Sequence, residues 1–257
     1  MIEYFKVTKK YPNGETVLND VSFTIAPGDF VVITGRSGAG KTTIGRLLIK
    51  DLEPTSGRIV VDGQDLSTIK SRDIAQYRRK IGFIFQDFKI IPDKTVYENI
   101  EIVLDIVGLD SKKIPERVTK LLEVVGLPGK ADLFPQQLAG GELQRVSIAR
   151  AIAANPPIVF ADEPTGNLDK DTSIEIFNLL KKINEAGTTV IMSTHDVTLI
   201  DIHQARHIHL ENGRLVKDHN QDKPIDEKEL AEIKMNQEGE PKKEIKTKKK
   251  TYKKVAN

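Results

Sequence analysis

Apolar and polar positions along this chain of 257 residues follow three different rhythms. Residues 1–30 alternate in short runs broken by Pro12-Asn13-Gly14 and Pro27-Gly28, the pattern of antiparallel strands joined by hairpins, and Gly57-Arg58-Ile59-Val60-Val61-Asp62-Gly63 adds another such run. Together they predict a small β-subdomain. Phe30-Val31-Val32-Ile33, Ile81-Gly82-Phe83-Ile84-Phe85, Ile158-Val159-Phe160-Ala161 and Thr189-Val190-Ile191-Met192-Ser193-Thr194 do not alternate. Short, nearly continuous apolar runs belong to strands buried on both faces of a parallel sheet. Residues 93–153 carry helical spacing, as in Val118, Leu121, Leu122 and Val125, and predict a helical subdomain able to swing against the core. After residue 217 the chain is polar, charged and poor in aromatics, too poor in apolar surface to fold. The expected organisation is an α/β domain over 1–217, with its helical subdomain at about 93–153, and a disordered tail over 218–257.

Composition narrows the setting. The chain has no cysteine, which removes disulfides and thiol-ligated metals. Its start, Met1-Ile2-Glu3-Tyr4-Phe5-Lys6, is charged and lacks the apolar block of a signal peptide, and its longest apolar stretches, such as 100–109, are interrupted by charge. A cytoplasmic enzyme is expected, with any membrane role arising through a partner. The segment Lys242–Lys254 holds eight lysines against one glutamate, whereas the whole chain carries only +2, so the remainder is net acidic. Such a run suits an anionic membrane surface, nucleic acid, or mere solubility.

Gly35-Arg36-Ser37-Gly38-Ala39-Gly40-Lys41-Thr42 matches G-x-x-x-x-G-K-[ST] and stands between a buried-type strand and a helical pattern beginning at Thr43, the context this loop requires. Its glycines let consecutive N–H groups curl around phosphate oxygens at the positive end of a helix. Lys41 is expected on the β- and γ-phosphates, the Thr42 hydroxyl on Mg²⁺ and Thr43 on the α-phosphate. Asp162 and Glu163 end a buried strand, where open parallel sheets place ligand-contacting groups: Asp162 to hold Mg²⁺, Glu163 to orient and deprotonate a water. Leu138-Ala139-Gly140-Gly141-Glu142 opens a second amphipathic helix with two glycines, a second amide cradle for an anion.

With Gln86 after one strand, Asn167-Leu168-Asp169 beyond the carboxylates and His195 ending another strand, the chain resembles an ATP-binding-cassette (ABC) ATPase over about residues 1–217, on six motifs in the family's order. The resemblance implies a P-loop NTPase nucleotide-binding domain with antiparallel β- and helical subdomains, with ATP and Mg²⁺ as cofactors. It implies that Tyr11 stacks on adenine, Gln86 touches Mg²⁺ and the lytic water, His195 contacts the γ-phosphate and Asp169 communicates between subunits. It also implies that Ala139, Gly140, Gly141 and Glu142 bind the γ-phosphate of ATP held by a second copy, so that the active site is completed in a homodimer or with another cassette. His203, His207, His209 and His219 are read as structural.

Two positions depart from the family pattern. Ala139 stands where serine is usual and removes a capping hydroxyl; Glu142 stands where glutamine is usual and brings a charge mildly unfavourable to incoming triphosphate, though favourable to the helix itself. Slower turnover or weaker dimer closure is expected. Residues 78–100 resemble the cell-division branch of the family, which implies an FtsX-like integral membrane protein as partner, with residues 87–104 lining the groove for its coupling helix, and control of cell-wall hydrolases. The alternative is an ATPase of a lipoprotein-release or macrolide-export transporter. A nucleic-acid-associated ABC protein is a third possibility, opposed by the single cassette and the lack of a coiled-coil or zinc insertion.

Overall fold

In a computed structural model, residues 1–195 and 205–219 are described; His203 and the lysine-rich segment lie outside the described residues. The alternating N-terminal runs form β1 (Ile2–Lys10) and β2 (Thr16–Ile25), which pair with β4 (Ser56–Val61) and β5 (Gln64–Asp65) in an antiparallel sheet of order β2-β1-β4-β5. This is the expected β-subdomain. Ile2, Tyr4 and Val7 point one way along β1 and are buried, and Tyr4 stacks on Phe23 at 4.5 Å.

The continuous apolar runs form the second sheet: β3 (Phe30–Thr34), β6 (Ile81–Ile84), β7 (Ile158–Asp162) and β8 (Thr189–Thr194), extended by β9 (Arg206–Glu211) and β10 (Arg214–His219). Its order is β10-β9-β3-β8-β7-β6, parallel except for β10. Every residue of β3, β7 and β8 is buried, which is why these segments read as unbroken apolar runs. The pattern does not predict β9 and β10: β9 reads Arg-His-Ile-His-Leu-Glu and β10 reads Arg-Leu-Val-Lys-Asp-His, so each is at least half polar and lacks the unbroken apolar run of β3, β7 and β8. β10 continues to His219, past the boundary expected at 217.

Helices α1 (Lys41–Leu48) and α2 (Ile74–Arg78) flank the core, while α3 (Val96–Ile106), α4 (Ile114–Val124) and α5 (Gly140–Ile152) pack on one another. α6 (Lys170–Glu185) follows β7. α1 is fixed through its carbonyls. Tyr4 Oη donates to Ile44 O at 2.8 Å and Tyr77 Oη to Leu48 O at 2.6 Å; Arg78 donates to Ile49 O at 2.9 Å and Lys50 O at 3.1 Å. The bonds from Tyr77 and Arg78 satisfy carbonyls that the helix end leaves without partners. The approach to α3 is stiffened by a Thr95–Glu98 capping box and by buried Asn99, whose amide donates to the carbonyls of Ile91, Lys94 and Thr95 and whose Oδ1 accepts from Ile91 N–H.

Thr34 ends β3 beneath the first glycine of the phosphate loop, and its hydroxyl contacts His207 Nε2 and, at 2.8 Å, His209 Nδ1. Burial lowers His207 from 6.5 to about 4, with His209, His219 and Lys217 adding repulsion and Asp218 opposing it. Between those values the unfolded imidazole binds a proton that the folded one refuses, so this contribution to stability is present above pH 6.5 and is lost as pH falls towards 4. The loss should approach about 3 kcal/mol. Urea unfolding from pH 7 to 4.5 should show it, and the His207→Leu variant should give a flatter pH dependence over the same interval.

Candidate active site

The parallel register sets three strand ends side by side: Thr34 is level with Thr194 and His209, and Asp162 with Ser193. Residues 35–40 connect the carboxyl end of β3 to α1. Gly40, at φ 102, makes the left-handed step into the helix that a side chain would resist, and the backbone carbonyl of Leu210 lies where Gly35 would carry a Cβ. The first-turn amides of α1 thus face the concave side of the loop.

Lys41 is 4% exposed. Its ammonium donates to Gly35 O at 2.7 Å and Arg36 O at 3.1 Å and pairs with Glu163 Oε1 at 3.1 Å. The other Glu163 oxygen meets His195 Nδ1 at 2.9 Å. Burial raises the Glu163 pKa, but Lys41 and His195 outweigh it and hold the carboxyl below its ordinary range. For Asp162 the balance is reversed: burial dominates and raises it, although the carboxylate accepts from Ser193 Oγ at 2.6 Å and Thr42 Oγ1 at 3.1 Å. Glu163 sits at φ 45, a conformation uncommon for any residue but glycine. Its N–H donates to Ser193 O at 3.1 Å and Ser193 Oγ at 3.0 Å, and its carbonyl accepts Gly166 N–H at 3.1 Å. These bonds hold a strained backbone at the residue expected to act as base.

The second amide cradle is built where two helix starts meet. Ala139 is the N-cap of α5 and offers no side-chain bond. Both oxygens of Glu142 are engaged: Oε2 turns back to accept Ala139 N–H at 3.0 Å, and Oε1 binds the Lys130 ammonium. The negative charge expected to oppose triphosphate is therefore already paired, because a first-turn carboxylate can reach both its own cap and a nearby cation. Asp169 is the N-cap of α6, accepting from Thr172 N at 3.0 Å and Thr172 Oγ1 at 2.6 Å. A Cβ on Gly141 would lie 2.6 Å from Thr172 Cγ2, so glycine is needed for the two helix starts to approach. Asp169, expected as a link between subunits, bonds within its own chain to the residue that abuts the cradle.

A cavity of about 350 Å³ gathers Tyr11, Ser37, Gly38, Gly40, Lys41, Thr42, Thr43, Gln86 and Glu163. A Cβ on Gly166 would stand 3.5 Å from Gln86 Nε2 and 3.6 Å from Glu163 Oε2, which places both side chains over one spot. Gly35, Arg36, Ala39, Asp162 and His195 support this cavity from behind or through those residues; Ala139, Gly140, Gly141, Glu142 and Asp169 are not among the described residues lining it. Residues 18–166 match the family described as ABC transporter. The chain belongs to that family. The cassette is 49% identical over 218 residues to the "Cell division ATP-binding protein FtsE" of Bacillus subtilis, covering 85% of this chain and 96% of that protein. It is 44% identical over 215 residues to the Escherichia coli K12 protein of the same name, covering 84% and 97%. Its structure is similar to that of the ATP-binding cassette MJ0796 in a dimeric post-hydrolysis state bound to ADP and Pi, with a TM-score of 0.79 at 36% identity, covering 86% of this chain and 99% of that one. Like its family, the cassette is an ATPase.

Three contributors escaped the sequence reading. Ser193 ties Asp162 to Glu163 across the sheet; its only sequence signal is a hydroxyl in an apolar strand, two residues before His195. Thr34 and Lys130 had no signal beyond their neighbours. For the bare N-cap, Ala139→Ser should supply the missing acceptor for a first-turn amide and stabilise the cassette by about 1 kcal/mol. Urea denaturation and steady-state ATPase assays should record a later midpoint and a faster rate; equal rates would remove the cap from any role in turnover.

Proposed function

We propose that this cassette is the ATP-hydrolysing subunit of an ABC complex in which ATP binding and hydrolysis drive an FtsX-like integral membrane protein that controls cell-wall hydrolysis in cell division. The observation that carries this reading is the 44% to 49% identity, along nearly their whole length, to proteins named for ATP binding in cell division. That likeness favours division over lipoprotein release or macrolide export.

Tyr11, which lines the cavity and has the Lys9 ammonium 5.6 Å from its ring centroid, stacks on adenine. Lys41, Ser37 and the amides around Gly38 and Gly40 take the phosphates. Thr42, Asp162 and Gln86 form an all-oxygen donor set suited to a hard divalent cation, and Mg²⁺ bound with ATP would neutralise phosphate charge there. Glu163 holds the attacking water and accepts its proton; its low pKa keeps it ionised and ready to do so. His195, hydrogen-bonded to Glu163, turns the same carboxylate and reaches towards the γ-phosphate. Gly140 and Gly141 of the partner subunit close the site from the other side.

No described helix is long and apolar enough to cross a membrane. In this reading the cassette sits on the cytoplasmic face through its membrane partner. A groove of about 670 Å³ offers a seat for a helix of that protein. Its floor includes Ile74, Phe83, Phe85 and Val103, and Arg79 and Arg150 are among its lining residues. Only Phe88, Lys89 and Val103 of the expected 87–104 stretch take part; α2, β6 and α5 supply most of the rest.

Glu163→Gln should lower ATPase activity roughly 10²- to 10⁴-fold. With ATP and Mg²⁺ and the membrane partner supplied, size exclusion should show that variant trapped as a dimer. A persistent monomer under those conditions would sink the two-chain site.

A further inference from the structure

The start of α5 holds a contradiction in charge. Glu142 stabilises the helix by lying at the positive end of its peptide dipoles, and its carboxylate accepts the Ala139 N–H. A phosphate approaching the same first turn meets that negative charge, and Ala139 has no hydroxyl to add a compensating donor. Lys130, reaching across from a separate loop, supplies the balance by binding the free oxygen of Glu142.

The backbone that carries the lysine is held in place. Its N–H donates to Leu127 O and its carbonyl accepts Leu133 N–H, both at 3.3 Å, while Ala131 O accepts the N–H of Tyr97 in α3 at 2.8 Å. The other cation near Glu142, Arg145, is engaged elsewhere: it donates to Val125 O at 2.8 Å and to Glu175 at 2.6 Å. The side chains of Lys130 and Glu142 are 37% and 28% exposed, so the pair remains at the surface around the glycine cradle. The carboxyl of Glu142 lies below its ordinary range, with Lys130 as the leading cause and the Ala139 amide next.

We infer that Lys130 is a positioning residue for the ATP shared between two subunits: by neutralising Glu142 it keeps the amides of Gly140 and Gly141 receptive to triphosphate in a chain without a hydroxyl cap. This role rests on the two-chain site proposed above.

The test uses the full chain with its membrane partner, in the Glu163→Gln background, and reads the ATP concentration that gives half-maximal dimer by light scattering. Lys130→Met should raise that concentration roughly three- to ten-fold, and the difference should shrink at high salt. Lys130→Arg should keep the parent value. Lys130→Met combined with Glu142→Gln should return close to it, because no charge is left to neutralise. With Glu163 intact, Lys130→Met should raise KM for ATP and leave kcat nearly unchanged. An unchanged Lys130→Met overturns the inference, as does a double variant as weak as the single, which would make the lysine merely structural. If the Glu163→Gln parent itself fails to dimerise with ATP, the two-chain site falls and the inference with it; a parent that dimerises normally while Lys130→Met is indifferent overturns the inference alone.

Discussion

An ammonium almost shut off from water is stable only among oxygens, and Lys41 has that environment because its own loop and a distant strand end converge on it. The carbonyls of Gly35 and Arg36 turn inward because the loop is rich in glycine. Glu163 arrives from β7, two strands away in the sheet, with β8 between them. The same arrangement that satisfies the lysine leaves loop residues, the hydroxyls of Ser37, Thr42 and Thr43 and the Glu163 carboxylate around the cavity, with Asp162 behind them. Neutralising one buried charge and building a triphosphate site are thus the same structural requirement.

The two adjacent carboxylates separate in character because their surroundings differ. Asp162 is the more deeply buried, and its ordinary acidity is weakened; Glu163, beside Lys41 and His195, is pushed the other way. Ser193 acts on both through one hydroxyl, donating to the first side chain and accepting from the backbone of the second. The left-handed backbone at Glu163 persists because bonds to β8 and to Gly166 over-determine it. A rigid sheet therefore places the base, while the adjoining loop carries the chain directly into the Asp169 cap of α6.

That cap links the two phosphate-binding regions within one chain. Asp169 fixes Thr172, whose methyl rests against Gly141, so a shift of the loop after Glu163 bears on the cradle at the start of α5. The pairing of Glu142 with Lys130 turns two departures from the family's motif into a local charge balance. Between the two regions the contacts are short and steric, the kind that transmits displacement in a close-packed interior.

Whatever depends on neighbours in sequence was legible from sequence. The spacing of Gly35, Gly38 and Gly40 before Lys41 specifies a loop because glycine conformations and a helix start are local properties, and unbroken apolar runs specify β3, β7 and β8 because burial on both faces leaves no polar side. Asp162 and Glu163 were recognisable by their place at the end of such a run. Tertiary structure alone decided which charges meet. Ser193 against Asp162, Thr34 between two histidines, Lys130 on Glu142 and Asp169 on the residue beside Gly141 depend on strand order, register and helix packing. β9 and β10 escaped for a related reason: histidine-bearing strands of mixed polarity, one at the sheet's edge and one just inside it, take their conformation from the ladder they join. Sequence spacing fixes the local backbone, whereas a side chain's partner is whatever the folded chain brings within a few ångströms of it.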